Sequence, residues 1–318
     1  MDDSIAGFVN SVDISHCKIV NTPNFVFLCG GLTQKDAGPY LSARDYFHRH
    51  LKANHPDVAK RVKLAEAIND WFDHDLFSDL LEVEEHLADL SDLIVVFVES
   101  AGSIAELGAF ASSESLRGKV LALMNSTHRT ERTFISDGPV RRIKDVDDRL
   151  VMYYEWAPED LADPSKHDEF DDMSEELAKL LMERERSAVK QPQLGNSHGH
   201  IMLLVADLIE MLGITIETEI SECLTAWGYD INREKLHKYL FLLEHLLLIT
   251  KLNKSNQTYY LGRARSVFVA HSFKQGVAVR DRDGIKALLR LALPTRDERR
   301  AKIYEKQLAK RPKRGVHV

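Results

Sequence analysis

The sequence predicts an α/β fold, a doubly wound and mainly parallel sheet, followed by a smaller domain of short helices and a hairpin. Three observations carry this. Apolar runs rich in β-branched and aromatic residues recur at 25–29, 93–98, 120–124 and 150–156, the texture of strands covered on both faces. Segments with helical periodicity lie around and between them, at 40–53, 58–69, 80–90 and 104–114, and such alternation implies a parallel sheet with helices on its faces. After residue 196 the pattern changes to closely spaced short helices.

At 318 residues and 36.2 kDa the chain is long enough for two domains. A charged amphipathic helix over 175–189 closes the first, and Gln191, Pro192, Gln193, Leu194, Gly195 and Asn196 punctuate the chain. The expected division is therefore 1–190 as the sheet domain, 191–196 as linker, 197–270 as the smaller domain and 271–318 as a basic helical tail. In the smaller domain, Ile201, Leu204, Val205, Leu208, Ile209 and Leu212 repeat at helical spacing, with Gly213 as a stop. A second helix runs from Glu217 to Trp227, and a third follows the N-cap residue Asn232 with Leu236, Tyr239, Leu240 and Leu243 on its apolar face. Two short strands at 248–252 and 258–261 then read as a hairpin.

Three helices followed by such a hairpin resemble a winged helix. In that reading Arg233, Lys235, His237 and Lys238 on the third helix, with Lys251, Lys254 and Arg263 around the wing, meet the phosphates of a nucleic acid. The competing reading makes them a solvated face of a domain that docks protein.

The formal net charge of −7 argues against a surface that coats nucleic acid indiscriminately. Acids crowd 82–92 and 168–176, whereas Arg296, Arg299, Arg300, Lys302, Lys306, Lys310, Arg311, Lys313 and Arg314 collect at the end, as in a tail seeking an anionic partner. Cys17, Cys29 and Cys223 are scattered and the N-terminus lacks a secretory pattern, so a reduced, cytoplasmic protein is expected. No apolar run approaches the roughly 20 residues of a membrane span. His48, His50, His55, His198 and His200 lack cysteine or carboxylate companions at zinc spacing, so no metal is expected. The absence of a Gly-x-x-x-x-Gly-Lys-Ser run makes ATP hydrolysis improbable.

The most informative stretch is the strand at 93–98 with the residues after it, Glu99, Ser100, Gly102, Ser103 and Glu106. Ligands of open α/β sheets bind at the carboxyl ends of such strands, and a carboxylate at that edge can attack or stabilise a sugar carbon. Ser103-x-x-Glu106 is equally the spacing of a helix capping box. Gly108, Ala109 and Ala111 either let the helix lie close or leave room for a ligand. Upstream, the strand ending at Cys29 runs into Gly30 and Gly31, which either admit a phosphate or ribose to the backbone or simply turn the chain.

Together these segments resemble the nucleoside deoxyribosyltransferase-like family, whose marks are an early strand ending near glycine and a later Gly-x-x-x-Glu-Leu-Gly helix, here Gly102 to Gly108. The resemblance implies Glu106 as the catalytic glutamate. Coupled to the C-terminal half, the chain resembles the effector proteins of bacterial retron anti-phage systems, toxins encoded beside a reverse transcriptase and its branched DNA–RNA product, msDNA. That implies antiviral defence, with the reverse transcriptase and msDNA as partners and self-association in a larger complex. It also implies an NAD glycohydrolase, with NAD as substrate and no cofactor.

N-glycosidic cleavage passes through an oxocarbenium-like state that a carboxylate on one sugar face stabilises. Nicotinamide leaves NAD as a neutral ring, so no strong acid is needed, and no motif in the chain names one. Around Glu106, the expected substrate-binding residues are Cys29, Gly30, Gly31, Asp92, Glu99, Ser100, Gly102 and Ser103. Tyr40 and Arg44 are read as surface packing in preference to ribose or phosphate ligands. Two alternatives remain: a nucleoside deoxyribosyltransferase or hydrolase, and a non-catalytic nucleotide-sensing regulator in which Glu106 is only a cap.

Overall fold

The computed structural model describes residues 2–34, 38–66, 76–186, 192–254, 256–263, 267–278 and 281–310. It divides into two compact units, one of Thr22–Lys190 and one that joins Met1–Asn21 to Gln191–Val318. In chain order the elements are helix α1 (Asp3–Ser11), strands β1 (Lys18–Ile19) and β2 (Val26–Cys29), α2 (Ala43–Asn54), β3 (Val62–Leu64) and α3 (Leu80–Leu90). Then follow β4 (Leu93–Phe97), α4 (Ala101–Ser112), β5 (Val120–Asn125), β6 (Val151–Tyr154), α5 (His167–Arg186), α6 (His198–Leu212), β7 (Ile214–Thr215) and α7 (Glu217–Ala226). The chain closes with α8 (Arg233–His245), β8 (Ile249–Lys254), β9 (Gln257–Gly262), β10 (Val269–Ala270), α9 (Arg282–Arg296) and α10 (Glu298–Lys310).

The first unit is the expected α/β body. Its five strands pair in parallel in the order β3-β2-β4-β5-β6. Alternate residues of β4 point to opposite faces. Leu93, Val95 and Phe97 join Tyr46, Phe47 and Leu51 of α2 and Phe170, Met173 and Leu177 of α5 in one apolar cluster. On β2, Phe27 points the other way, edge-on to Phe110 of α4 at 6.2 Å. Helices thus cover both faces, which is why the strands read as unbroken apolar runs.

Two elements differ from expectation. The helix expected at 58–69 is a helical turn, Pro56–Ala59, and then the edge strand β3, in register with β2 through Val26 opposite Val62; positions 67–69 lie outside the described residues. Three residues carry no readable period, and only pairing with β2 makes them a strand. Helix α5 starts at His167, earlier than residue 175, because Phe170 and Met173 extend its buried face.

The second unit revises the expected boundaries at both ends. The first 21 residues belong to it and not to the sheet domain. Strand β1 pairs with β10, Phe8 of α1 packs edge-on to Trp227 at 5.8 Å, and the Trp227 indole N–H donates to the Val9 carbonyl at 3.1 Å. The three helices α6 to α8 and the β8–β9 hairpin are present, with β7 added to give an antiparallel sheet ordered β7-β9-β8. Beyond 270 the expected tail is built into the fold as far as α10, with Leu293, Ala301 and Tyr304 packing on Ile214, Tyr259 and Leu261. Its Arg300 is 7% exposed and donates to both carboxylate oxygens of Glu219 at 2.7 Å. Arg311, Lys313 and Arg314 lie outside the described residues.

Arg300→Ala leaves the Glu219 carboxylate buried without its cation, and breaking a pair this enclosed costs about 3 kcal/mol. Urea unfolding of the variant should show a loss of that order, and a loss under about 1 kcal/mol would mean the pair is solvated.

Candidate active site at the carboxyl edge of the sheet

The strand order reverses direction between β2 and β4, and ligand crevices of open parallel sheets form at that point, beyond the carboxyl ends of the strands. Cys29 lies opposite Val96, so the Gly30–Gly31 turn and the Glu99–Ser100 turn leave the sheet side by side. Glu99 ties them together. Its carboxylate accepts from the amides of Gly31 at 3.0 Å, Ala43 at 2.9 Å and Arg44 at 3.1 Å. The last two are first-turn amides of α2, which have no partner within the helix and favour negative charge. Glu99 is therefore an anchor for α2, a role the sequence reading did not assign it.

The glycine pair is explained by the same packing. Gly30 has φ +152°, and a Cβ there would lie 2.9 Å from Arg44 Cδ and Phe97 Cβ. A Cβ on Gly31 would lie 2.7 Å from Ser42 Cβ and 3.0 Å from Glu99 Oε1. Both positions exclude side chains because α2 and Glu99 close over them. Gly102 is exposed and has only Ser100 Oγ near its Cβ position, at 3.8 Å.

Helix α4 resolves the two readings of Ser103-x-x-Glu106. Its N-cap is Ser100, whose hydroxyl accepts from the Ser103 amide at 3.1 Å, while Ser103 Oγ accepts from the amides of Ser100 at 3.0 Å and Glu99 at 3.1 Å. The capping box is Ser100 with Ser103, and both side chains are engaged in it. Glu106 lies a turn further on, with its Oε2 buried and without a hydrogen-bond partner. Burial pushes its carboxyl pKa up, and the Arg44 guanidinium opposes that rise.

Arg44 is no surface residue. It is 1% exposed, donates through Nη1 to the Leu28 carbonyl at 3.2 Å and pairs with Glu66. Its charge acts on Glu106, Glu99 and Cys29. The Cys29 thiol is raised well above its ordinary range by burial and then by Glu106 and Glu84. Glu84 on α3 is pushed up to about 7 by burial and by the charge of Glu106. The arrangement thus couples two carboxyls, both raised by burial, with a buried cation that opposes the rise at Glu106. Sequence reasoning missed Glu84 because it sits in the run Glu82, Glu84, Glu85, which reads as a solvated acidic face.

On the same edge a cleft of about 400 Å³ is lined by Gly31, Ser42, Glu99, Ser100, Asn125, His128 and Trp156. Glu106 is not among its lining residues. Asn125, His128 and Trp156 were not anticipated; Asn125 ends β5 at the carboxyl edge and donates to the Trp156 carbonyl, and that position was its one available signal.

Asp92 is a correction. It precedes β4, its carboxylate accepts from the Thr22 hydroxyl, and its amide donates to the Phe25 carbonyl at 3.0 Å. At about 3.3 Å per residue it stands roughly 15 Å from the carboxyl edge, too far to orient a sugar bound there. Tyr40 is a packing residue as expected, with its ring 4.3 Å from that of Tyr46 and Arg49 above it at 4.7 Å.

In the second unit, Lys238 is also a correction: it is 8% exposed and its ammonium pairs with Glu234 at 2.8 Å. Arg233 and His237 both bond to Glu217, the first residue of α7. Lys235 lies 5.9 Å from the Tyr239 ring, and Lys251 and Lys254 are exposed on β8.

Comparison with known proteins adds to this geometry. The model of a family described as STM3845 retron effector protein matches residues 40–251. An Escherichia coli protein described as "Retron Ec73 putative ribosyltransferase/DNA-binding protein" is 26% identical over 299 residues, which cover 90% of this chain and 89% of the relative. A second, described as "Retron Ec86 putative ribosyltransferase/DNA-binding protein" and also from Escherichia coli, is 33% identical over 136 residues, covering 40% of this chain and 39% of the relative.

A raised carboxyl pKa carries a sign. Glu84 adds no penalty to the folded state below its ordinary value of 4.5, and an increasing one as pH rises through about 7. Glu84→Gln removes that penalty, so the variant should gain stability over the parent across this window and hold the gain above it. Urea midpoints measured on either side of the window test this; parallel pH profiles for the two proteins would contradict the burial of Glu84.

Proposed function

The chain belongs to the STM3845 retron effector protein family, and from that premise we propose that it is the toxin of a retron anti-phage system and cleaves the N-glycosidic bond of NAD. Reverse transcriptase and msDNA hold it inactive in a larger complex until infection releases it in the cytoplasm. No helix among the described residues is long and apolar enough to cross a membrane.

One observation carries the reading: the Glu106 carboxyl is free of its own helix amides and buried with an unpartnered oxygen. A desolvated carboxylate is a stronger nucleophile and a stronger electrostatic partner for developing positive charge than a hydrated one. Glu106 attacks or stabilises C1 of the ribose as nicotinamide departs with the bonding electron pair, and water completes hydrolysis. The Arg44 guanidinium opposes the rise that burial causes in the Glu106 pKa and so favours its ionised form. The cleft lined by Gly31, Ser42, Ser100 and Asn125 on the same sheet edge takes the remainder of the nucleotide.

Glu84 favours a second reading. A nucleoside base leaves as a poor anion unless protonated, and a carboxyl with pKa near 7 is a suitable donor. On that reading the enzyme transfers or hydrolyses deoxyribosyl groups, in keeping with the ribosyltransferase wording attached to both Escherichia coli relatives. The regulator reading needed Glu106 as a cap, and Ser100 and Ser103 fill that role.

The helix-and-hairpin part of the second unit acts as a winged helix toward msDNA, with Arg233, Lys235, Lys251 and Lys254 as its phosphate contacts. The DNA-binding wording attached to the relatives supports this.

Purified protein incubated with NAD should release nicotinamide, and Glu106→Gln should lower that rate by at least about a thousandfold, the scale expected when a nucleophile is removed. If the variant keeps full activity, Glu106 has no part in the reaction; if the parent releases bases from deoxynucleosides and no nicotinamide, the second reading replaces the first. Lys251→Glu with Lys254→Glu should weaken binding to msDNA and reduce the salt dependence by about two ion contacts. Unchanged binding in a filter or anisotropy assay would remove the wing from the interface.

A further inference from the structure

Helices α2 and α5 pack side by side on one face of the sheet. Where α2 ends, three side chains of a kind that bind metals converge. His50 Nε2 lies 3.1 Å and His55 Nε2 2.9 Å from the same oxygen, Oε1 of Glu175. The potential ligand atoms of the three all lie within 4.8 Å of one another.

We propose that His50, His55 and Glu175 form a binding site for a zinc-class divalent cation that pins α2 to α5. Two imidazoles and a carboxylate are a donor set that zinc accepts, with the fourth position left to water. Ligand atoms at the corners of a zinc tetrahedron stand roughly 3.4 Å apart, so the two spacings to Glu175, 3.1 and 2.9 Å, need to open by a few tenths of an ångström, and the two imidazoles already lie within 4.8 Å of each other. The exposures suit an ion held from one side: the side chains of His50, His55 and Glu175 are 6%, 20% and 39% exposed.

The surroundings of His50 point to a metal more directly. Its Nδ1 lies 2.9 Å from Asp171 Oδ1, which also accepts from the Tyr46 hydroxyl at 3.0 Å. A carboxylate behind the imidazole is the usual outer partner of a metal-binding histidine, because it fixes the N–H on one nitrogen and turns the lone pair of the other toward the ion. The Asn54 side-chain amide also approaches the ring, at 3.2 Å from Nδ1 and 3.3 Å from Nε2, so the imidazole is held in place from three sides. Glu175 arrives from 120 residues further along the chain, so no local spacing announces the site. Its consequence is mechanical: α2 begins at the Glu99 anchor and carries Arg44, so a cation at its far end holds both ends of the helix.

The full-length protein, stripped with a chelator, should take up one Zn²⁺ per chain in competition with a chromophoric chelator. Co²⁺ in its place should give the intense visible bands of four-coordination. His55→Gln and Glu175→Gln should each weaken uptake more than a hundredfold while leaving the circular dichroism of the metal-free protein unchanged. Asp171→Asn should weaken it about tenfold, and His198→Gln with His200→Gln should leave it intact. Zinc should raise the melting temperature of the parent and not of His55→Gln. Lack of stoichiometric uptake, uptake undiminished by the His55 and Glu175 substitutions, or a purely six-coordinate Co²⁺ spectrum would overturn the proposal.

Discussion

The carboxyl edge of this sheet depends on one carboxylate. Glu99 leaves β4 and accepts three amides, one from the turn after β2 and two from the first turn of α2. A helix N-terminus needs such an acceptor, and placing it on a neighbouring strand fixes the helix against the sheet as well as capping it. The consequences spread outward from there. Gly30 and Gly31 must lack side chains, Arg44 is carried under the sheet edge, and Ser100 is left at the head of α4 to start the helix that bears Glu106.

That geometry concentrates charge in a poorly hydrated place. Arg44 is one buried cation among Glu66, Glu84, Glu99 and Glu106, and two of these carboxyls are driven toward their protonated forms. Glu106 also keeps a buried oxygen without a hydrogen-bond partner among the described residues, a desolvation that is costly unless something binds there. Sites that do chemistry tolerate this cost because perturbed proton affinities are what the reaction uses.

In the second unit, charge that looks available in the sequence is partly consumed at home. Arg300 goes to Glu219 and Lys238 to Glu234, while Arg233, although bonded to Glu217, keeps an exposed side chain. Part of the basic run thus becomes internal stitching, while Lys251 and Lys254 on the hairpin and Lys302 and Lys306 on α10 stay exposed. The N-terminal 21 residues complete this unit, through a strand pair and an indole hydrogen bond that link positions more than two hundred residues apart.

Local chemistry alone determined much of this protein. The β-branched runs made the central parallel strands and the helical repeats made α6 to α8, because each signal sits within a few residues of its consequence. What needs partners from elsewhere in the chain was decided only by the tertiary structure. Strand β3 exists through pairing with β2, Asp92 falls at the wrong end of its strand, Glu99 is an anchor, Glu84 is pushed up to about 7 by burial and then by the charge of Glu106, and Glu175 meets His50 and His55 beside the sheet face. Hydrogen bonding and desolvation depend on what lies within a few ångströms in space, and sequence spacing carries that information only for near neighbours along the chain.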